Sequence, residues 1–180
     1  SGVKFLLFFD HYHLNLGLSM ELGERMVVVG GGNVAMDCVR SALRMGVKEV
    51  HLVYRRTRDA MPADLEEIEA AEKEGVRFHC LTHPTRIITE AGKVRGIELV
   101  KMQQGEPDAS GRRSVHPVEG SESVLPTDFV IPAIGQAVDH GFLRPEDGIE
   151  LNRWGLIDAD ETNLTTPMPG VFAGGDAVTG

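Results

Sequence analysis

Three β-branched residues running into three glycines constrain this chain more than any other feature. Val27, Val28 and Val29 lead into Gly30, Gly31 and Gly32. Asn33 then opens a segment in which Val34, Met36, Val39, Ala42 and Leu43 recur with a helical period. A buried strand, a tight turn and a helix follow from that pattern. Gly30, Gly32 and Ala35 fit the form G-x-G-x-x-G/A, with alanine at the third place. In that form the first glycine permits the tight turn. The second leaves no Cβ between the backbone and a pyrophosphate. The small third residue lets the helix lie close to the strand. The first N–H groups of such a helix have no internal partners, and its dipole favours an anion there. Asn33 suits a position near the N-cap. A purely structural strand–turn–helix would use the same glycines, but both flanks favour a nucleotide site.

The segments that follow extend this unit. Asn33–Met45 reads as a helix closed by Gly46, and Val47–Tyr54 as a second strand, so residues 26–54 make a βαβ unit with a right-handed crossover. Leu65, Ile68 and Ala71 lie at helical spacing after Met61-Pro62-Ala63-Asp64, with acidic residues early and Gly75 at the end. Val76–Leu81 is a third strand. Beyond it the pattern changes to short strands. Thr85–Thr89 and Val94–Met102 flank the turn Glu90–Lys93 as a hairpin. Residues 103–114 are a polar loop at a hairpin tip, Val115–Val118 and Ser123–Leu125 are short strands, and Asp128–Ile134 is a buried strand ending at Gly135. The expected class is α/β: a Rossmann-like domain with a parallel sheet and an added antiparallel β-meander, followed by part of a second domain. Boundaries fall at 1–23, 24–135 and 136–180. Residues 1–23, with an apolar cluster at Val3–Phe9 and then Leu14, Leu16 and Leu18, show no clear period; a short helix packed on the domain is one reading.

Composition excludes several functions. The 180 residues carry a net charge of −9, which argues against non-specific nucleic-acid binding. No stretch is long and apolar enough to span a membrane. Val3–Phe9 lacks a basic flank on its left and is followed by Asp10, so it does not read as a signal peptide, and a cytoplasmic protein is expected. Cys38 and Cys80 are the only cysteines, too far apart for a C-x-x-C pair and read as buried free thiols. His79, Cys80 and His83 lack a fourth ligand near in sequence, so no metal is expected there. Glu66–Glu74 reads as a solvated helix face, Asp37 as a surface or capping residue, and Trp154 and Phe172 as core. No nucleophile with a base and an orienting acid is apparent.

The nucleotide is chosen at the end of the second strand. An acid there binds the free ribose 2′-hydroxyl of NAD, whereas an arginine accommodates the 2′-phosphate of NADP. This chain has Arg55, Arg56 and Arg58 there, and no acid until Asp59. Guanidinium groups grip phosphate bidentately and stay charged. NADP(H) is expected over NAD(H).

Taken together, Gly30–Asp37, Val53-Tyr-Arg-Arg56, Met61-Pro-Ala63, Ala133-Ile-Gly-Gln136 and Gly170–Ala177 resemble the glutamate synthase small (β) subunit family and related NADPH-dependent flavoprotein oxidoreductases. The resemblance covers about residues 24–180. It implies two Rossmann-like domains, an NADPH domain inserted into an FAD domain, with electrons passing from NADPH to FAD and on through iron–sulfur clusters to a partner. It implies that Gly30, Gly31, Gly32, Asn33, Val34 and Ala35 hold the NADPH pyrophosphate, and that Arg55 and Arg56 hold the 2′-phosphate. Ala133, Ile134 and Gly135 would lie at the crossing back to the FAD domain, and Gly175 and Asp176 would contact FAD. Only one dinucleotide fingerprint is present, and two cysteines cannot supply the four thiolates of an iron–sulfur cluster. The expectation is therefore an NADP(H) domain joined to the returning strands of an FAD domain, with the other FAD half upstream of Ser1 and an iron–sulfur or large-subunit partner elsewhere. A nucleotide-binding module without activity of its own is the alternative.

Overall fold

The structure is a computed structural model that describes residues 1–13, 22–107, 111–135, 139, 141 and 143–179. The expected features at Leu14, Leu16, Leu18, residues 108–110 and Gln136 lie outside the described residues. Two compact units are present, Ser1–Ile134 and Gly135–Gly180.

The first unit is built on strands β1 (Arg25–Val29), β2 (Glu49–Val53), β3 (Arg77–His79) and β8 (Phe129–Pro132). They form a parallel sheet in the order β3-β2-β1-β8. A parallel sheet is covered on both faces, which is why its central strand β1 and its neighbour β8 are nearly continuous apolar runs, while β3 at the edge (Arg77-Phe78-His79) is not. Side chains alternate across each strand. Met26 and Val28 of β1 and Val50 and Leu52 of β2 turn to one face and pack with Met36, Val39 and Ala42 of helix α2 (Asn33–Arg44) and Ile68 and Ala71 of helix α3 (Leu65–Lys73). Val27 and Val53 turn to the other face and meet Ile97 and Leu99. Helix α1 (Gly2–His13) adds Phe5 to the helical layer.

Ile97 and Leu99 belong to the antiparallel sheet. Strand β4 (Thr82–Glu90) turns through Ala91-Gly92, both at positive φ, into β5 (Lys93–Pro107). That is the geometry of a two-residue hairpin whose twist matches its strands. Along its other edge β5 pairs with β7 (Ser123–Pro126) and then with β6 (Arg113–Pro117). Two local expectations change here. The polar stretch 103–114 is largely ribbon, because β5 runs on to Pro107 and β6 begins at Arg113. This ribbon is exposed, so nothing imposes an alternating apolar pattern on it. The third strand is shorter than Val76–Leu81, because Leu81 enters the left-handed region at φ 47° and turns the chain out of the sheet.

Helices α2 and α3 end alike. Gly46 and Gly75 adopt positive φ, and the N–H groups of Val47 and Val76 reach back to the carbonyls of Ala42 and Ala71. These are Schellman closures, with buried valines sealing them. Glu67 of α3 and Glu74 just past its end bind Arg40 of α2, so the acidic face is partly an ion-pair surface between helices and not only solvated. At the starts of β1 and β8, the Asp128 carboxylate accepts the N–H groups of Glu24 and Arg25 at 3.0 Å each and the Arg25 guanidinium at 2.8 Å. Those donors hold its pKa below the ordinary aspartate range.

The second unit has short elements only. Leu151 bridges Ile157 and Thr165 bridges Phe172. A single turn of helix, α4 (Asp176–Thr179), is tied back by the Ile157 N–H to Ala177 O bond at 2.8 Å. Trp154 and Phe172, expected in a core, are 68% and 66% exposed, because few of the described side chains of this unit are buried. The Arg153 guanidinium covers the Trp154 ring at 4.0 Å. Among the described residues, no helix is long and apolar enough to cross a membrane.

One polar pair sits on the meander face of the parallel sheet. His51 of β2, 4% exposed, shares a hydrogen bond with His79 of β3 at 2.8 Å between Nδ1 and Nε2. Burial pushes both imidazole pKa values down; Arg77 and, for His79, Lys101 add to this, while Glu49 opposes it at His51. The unfolded chain therefore binds more protons at these two rings than the folded chain does. Stability is fully present above the unfolded histidine value of about 6.5 and falls as the pH drops below it. Thermal melts between about pH 7.5 and 5.5 should show the midpoint falling on the acid side, with a shallower fall in His79→Gln. An unchanged slope in that variant would exclude the pair as the cause.

Candidate functional site

The chain runs β1, β2, β3 to one side and returns at β8 on the other side of β1. The crevice at the carboxyl ends of β1 and β8 is thus the switch point of the sheet, where open α/β folds bind ligands. Gly30 leaves β1 there and Ala133 leaves β8. A Cβ on Gly30 would stand 2.2 Å from the Ala133 carbonyl oxygen, so this glycine is required by the close approach of the two loops. The Gly30 N–H is held by Val53 O at 3.0 Å.

The other two glycines have different causes. A Cβ on Gly31 would strike the Tyr54 ring at 2.6 Å, so packing inside the unit excludes a side chain there. A Cβ on Gly32 would meet nothing nearer than Pro62 Cγ at 4.0 Å. The protein's own packing does not ask for glycine at 32; the space beside it is open. Gly32 is the N-cap of α2, with extended backbone and no side-chain cap. Its carbonyl accepts Ala35 N–H and Met36 N–H, while the N–H groups of Asn33 and Val34 have no acceptor among the described residues. Val34 is 37% exposed at this end, and Ala35 is fully buried against the sheet, as its small size requires.

Asn33 does not cap α2. Its side-chain amide donates to the Asp64 carboxylate at 3.1 Å and its Oδ1 accepts Asp64 N–H at 2.9 Å. Ala63 N–H donates to Gly31 O at 3.1 Å, and the Tyr54 hydroxyl donates to Ala60 O at 2.7 Å. Residues 60–64 are thereby fastened to the glycine turn as its second wall. Sequence reasoning put Tyr54 in a motif of the resemblance and Asp64 at the opening of a helix, but gave neither a part in holding the glycine turn; that part depends on contacts between segments that periodicity does not report.

At the end of β2 the three arginines separate. Arg58 is bound bidentately by Glu72, at 2.8 Å for both contacts, so its charge is neutralised by α3. Arg55 is exposed, and Arg56 is half-buried with its Nε donating to Arg113 O at 3.4 Å. Ile134 is 75% exposed just past β8. Gly135, at φ 99°, begins the second unit, where Gly175, at φ 64°, and exposed Asp176 open α4.

Neither thiol is suited to chemistry. Burial, with Asp37 adding to it, pushes the Cys38 thiol up to about 12. Burial also raises that of half-buried Cys80. Among the described residues no three His, Cys, Asp or Glu side chains are grouped to hold a metal ion.

A parallel sheet with a glycine turn at its switch point defines a dinucleotide-binding α/β protein. The chain belongs to the pyridine nucleotide-disulphide oxidoreductase family, whose model matches residues 3–180. It is 54% identical over 181 residues to the NADP(+)-dependent formate dehydrogenase subunit beta of Moorella thermoacetica, covering 99% of this chain and 24% of that protein. It is 42% identical over 167 residues to the glutamate synthase [NADPH] small chain of Escherichia coli, covering 91% of this chain and 35% of that protein. The chain thus spans about a quarter of one relative and a third of the other. The crystal structure of T. acidophilum thioredoxin reductase matches with TM-score 0.69 and 25% sequence identity, over 88% of this chain and 46% of that one. The expected α/β class and the resemblance to glutamate synthase small subunits both hold.

The glycines make a paired prediction. Gly30→Ala should lower the thermal midpoint by many degrees or prevent folding, because the new methyl meets backbone. Gly32→Ala should melt within a few degrees of the parent. Equal midpoints for the two variants would contradict the packing described.

Proposed function

We propose that this chain is the NADPH-holding part of a flavin-dependent oxidoreductase, which passes electrons from NADPH to FAD and on to a partner subunit. The observation that carries this reading is the open space at Gly32 beside helix N–H groups that lack acceptors among the described residues. A dinucleotide pyrophosphate needs such a cradle.

The residues fit the cofactor. Gly30, Gly31 and Gly32 form the turn; Asn33, Val34 and Ala35 begin the helix that would face the pyrophosphate. Arg55 and Arg56 would take the 2′-phosphate, which separates NADPH from NADH. Ala133, Ile134 and Gly135 leave the adjacent strand, and Gly175 and Asp176 would contribute to FAD. NADPH, when bound, supplies a hydride, and the chain's own task is to bind and orient it. No proton-transfer group is assigned. The raised pKa values of Cys38 and Cys80 speak against a thiolate in the reaction.

The names of the relatives, a subunit beta and a small chain, support a multi-subunit setting. An FAD-domain half and an iron–sulfur or large subunit would complete the electron path, in the cytoplasm.

Titration of the chain with NADPH and NADH, followed by nucleotide fluorescence, tests the reading. NADPH should bind at least about tenfold more tightly, a difference of about 1.4 kcal/mol. Gly32→Val should weaken both nucleotides while leaving the fold intact, and Arg56→Ala should weaken NADPH alone. Preference for NADH would overturn the assignment, as would a Gly32→Val variant that binds like the parent.

A further inference from the structure

The arginine at the end of β2 does not stand alone. A groove of about 540 Å³ lies beside it, lined by Arg56, Thr57, Asp59 and Ala60 on one side and by Gln104, Arg112 and Arg113 of the β5–β6 hairpin on the other. Three guanidinium groups and one carboxylate line this groove in a chain whose net charge is −9. Positive charge is thus gathered against the overall balance of the molecule.

The hairpin also sets the posture of Arg56. Its Nε donates to the Arg113 carbonyl, while its two Nη groups have no acceptor among the described residues. The Arg113 guanidinium donates in turn to Gly105 O at 3.3 Å, across the ribbon. A Cβ on Gly105 would come within 2.4 Å of Ser114 Oγ, so a side chain there would displace that hydroxyl. Arg113 is thus carried on the paired strand β6, and Arg112 directly precedes it. Volume, concavity and charge suit a small phosphorylated ligand. The groove opens on the segment leaving β2, where this fold meets the adenosine ribose.

We propose that Arg112 and Arg113 of the hairpin, with Arg56, form the receptor for the 2′-phosphate of NADPH. The antiparallel sheet thereby takes part in choosing the nucleotide, and does more than cover the parallel sheet. The proposal rests on the NADPH reading above and adds two specificity-determining residues to it. Asp59 on the β2 side of the groove disfavours an anion near itself and so biases the phosphate toward the arginines. The one bond from Arg56 to the hairpin is made to a backbone carbonyl, so substitution of the hairpin side chains leaves that anchor in place.

Calorimetric titrations of the chain with 2′,5′-ADP, 5′-AMP, NADP⁺ and NAD⁺ separate the outcomes. In the parent, 2′,5′-ADP should bind more tightly than 5′-AMP. In Arg112→Gln/Arg113→Gln, 2′,5′-ADP and NADP⁺ should weaken about tenfold or more, while 5′-AMP and NAD⁺ remain unchanged. The loss of affinity for 2′,5′-ADP with added salt should also become less steep, since fewer cations meet the phosphate. Single Arg112→Gln and Arg113→Gln variants, each checked by circular dichroism, guard against a folding defect in the double variant. A double variant that binds all four ligands as the parent does would overturn the hairpin's role and leave the NADPH reading standing. Equal weakening of all four would overturn it as well, by showing a structural effect. A parent that binds 2′,5′-ADP no better than 5′-AMP would overturn both.

Discussion

The close approach of Gly30 to Ala133 is the contact on which the rest of this unit depends. Both residues leave adjacent parallel strands, yet they stand on opposite sides of a long excursion that includes β2, β3 and the whole antiparallel sheet. At the other end of the same two strands, Asp128 grips Glu24 and Arg25, and the buried Thr127 hydroxyl donates toward Arg25 O and Phe129 O at 3.1 and 3.0 Å. The β1–β8 pair is thus pinned at both ends, by a carboxylate and a hydroxyl where it begins and by a missing side chain where it ends. The crevice above it is shaped by backbone. A site made that way is hard to deform, because moving it means breaking ladder hydrogen bonds and not merely turning a rotamer.

Around that crevice, each wall is fastened by a different kind of interaction. Ala35 brings α2 down on the sheet through its small size. The 60–64 segment is held by polar bonds, from Asn33 to Asp64, from Ala63 to Gly31 and from Tyr54 to Ala60. Tyr54 unites two of these functions, since its ring fills the space that excludes a side chain at Gly31 and its hydroxyl holds the loop. The three consecutive glycines therefore answer to three constraints. Two are internal to the fold. The third, at Gly32, meets no such internal constraint, and this open space is what supports the proposed pyrophosphate position.

Much of this was legible in the sequence because it rests on periodicity and on residues with special backbones. The strand–turn–helix at 26–45, the helix closures at Gly46 and Gly75 and the hairpin at Ala91-Gly92 all follow from local rules; the strand before Gly135 does too, though it is shorter than Asp128–Ile134 and only Ile131 in it is buried. What stayed hidden depends on pairs distant in sequence. Asn33 looks like a cap, and only the folded chain shows its amide turned to Asp64. Arg58 looks equivalent to Arg55 and Arg56 until Glu72 on α3 binds it. The ribbon at 103–117 is read as a loop because an exposed two-stranded ribbon buries neither face and leaves no alternation to detect. Trp154 and Phe172 carry the mark of core residues, but the described part of their unit has little core to receive them.

The charges around the end of β2 are ordered by the same logic. Helix α3 and the Glu74 that follows it are rich in glutamate, and three of these acids are paired with particular arginines: Glu67 and Glu74 with Arg40, and Glu72 with Arg58. Pairing Arg58 through both oxygens of Glu72 removes one cation from the strand end and fixes the 3-10 turn Arg58–Ala60 against α3. Arg56 meets no such acid; it is held by a neutral carbonyl, which orients the guanidinium without cancelling its charge. A carboxylate in that place would have oriented it equally well and left no field for a phosphate. Acids that neutralise Arg40 and Arg58, and a carbonyl that positions Arg56, leave positive charge at this strand end, as the proposed phosphate site requires. That division follows from where Glu72 and Arg113 lie in space, and it could not be inferred from the net charge.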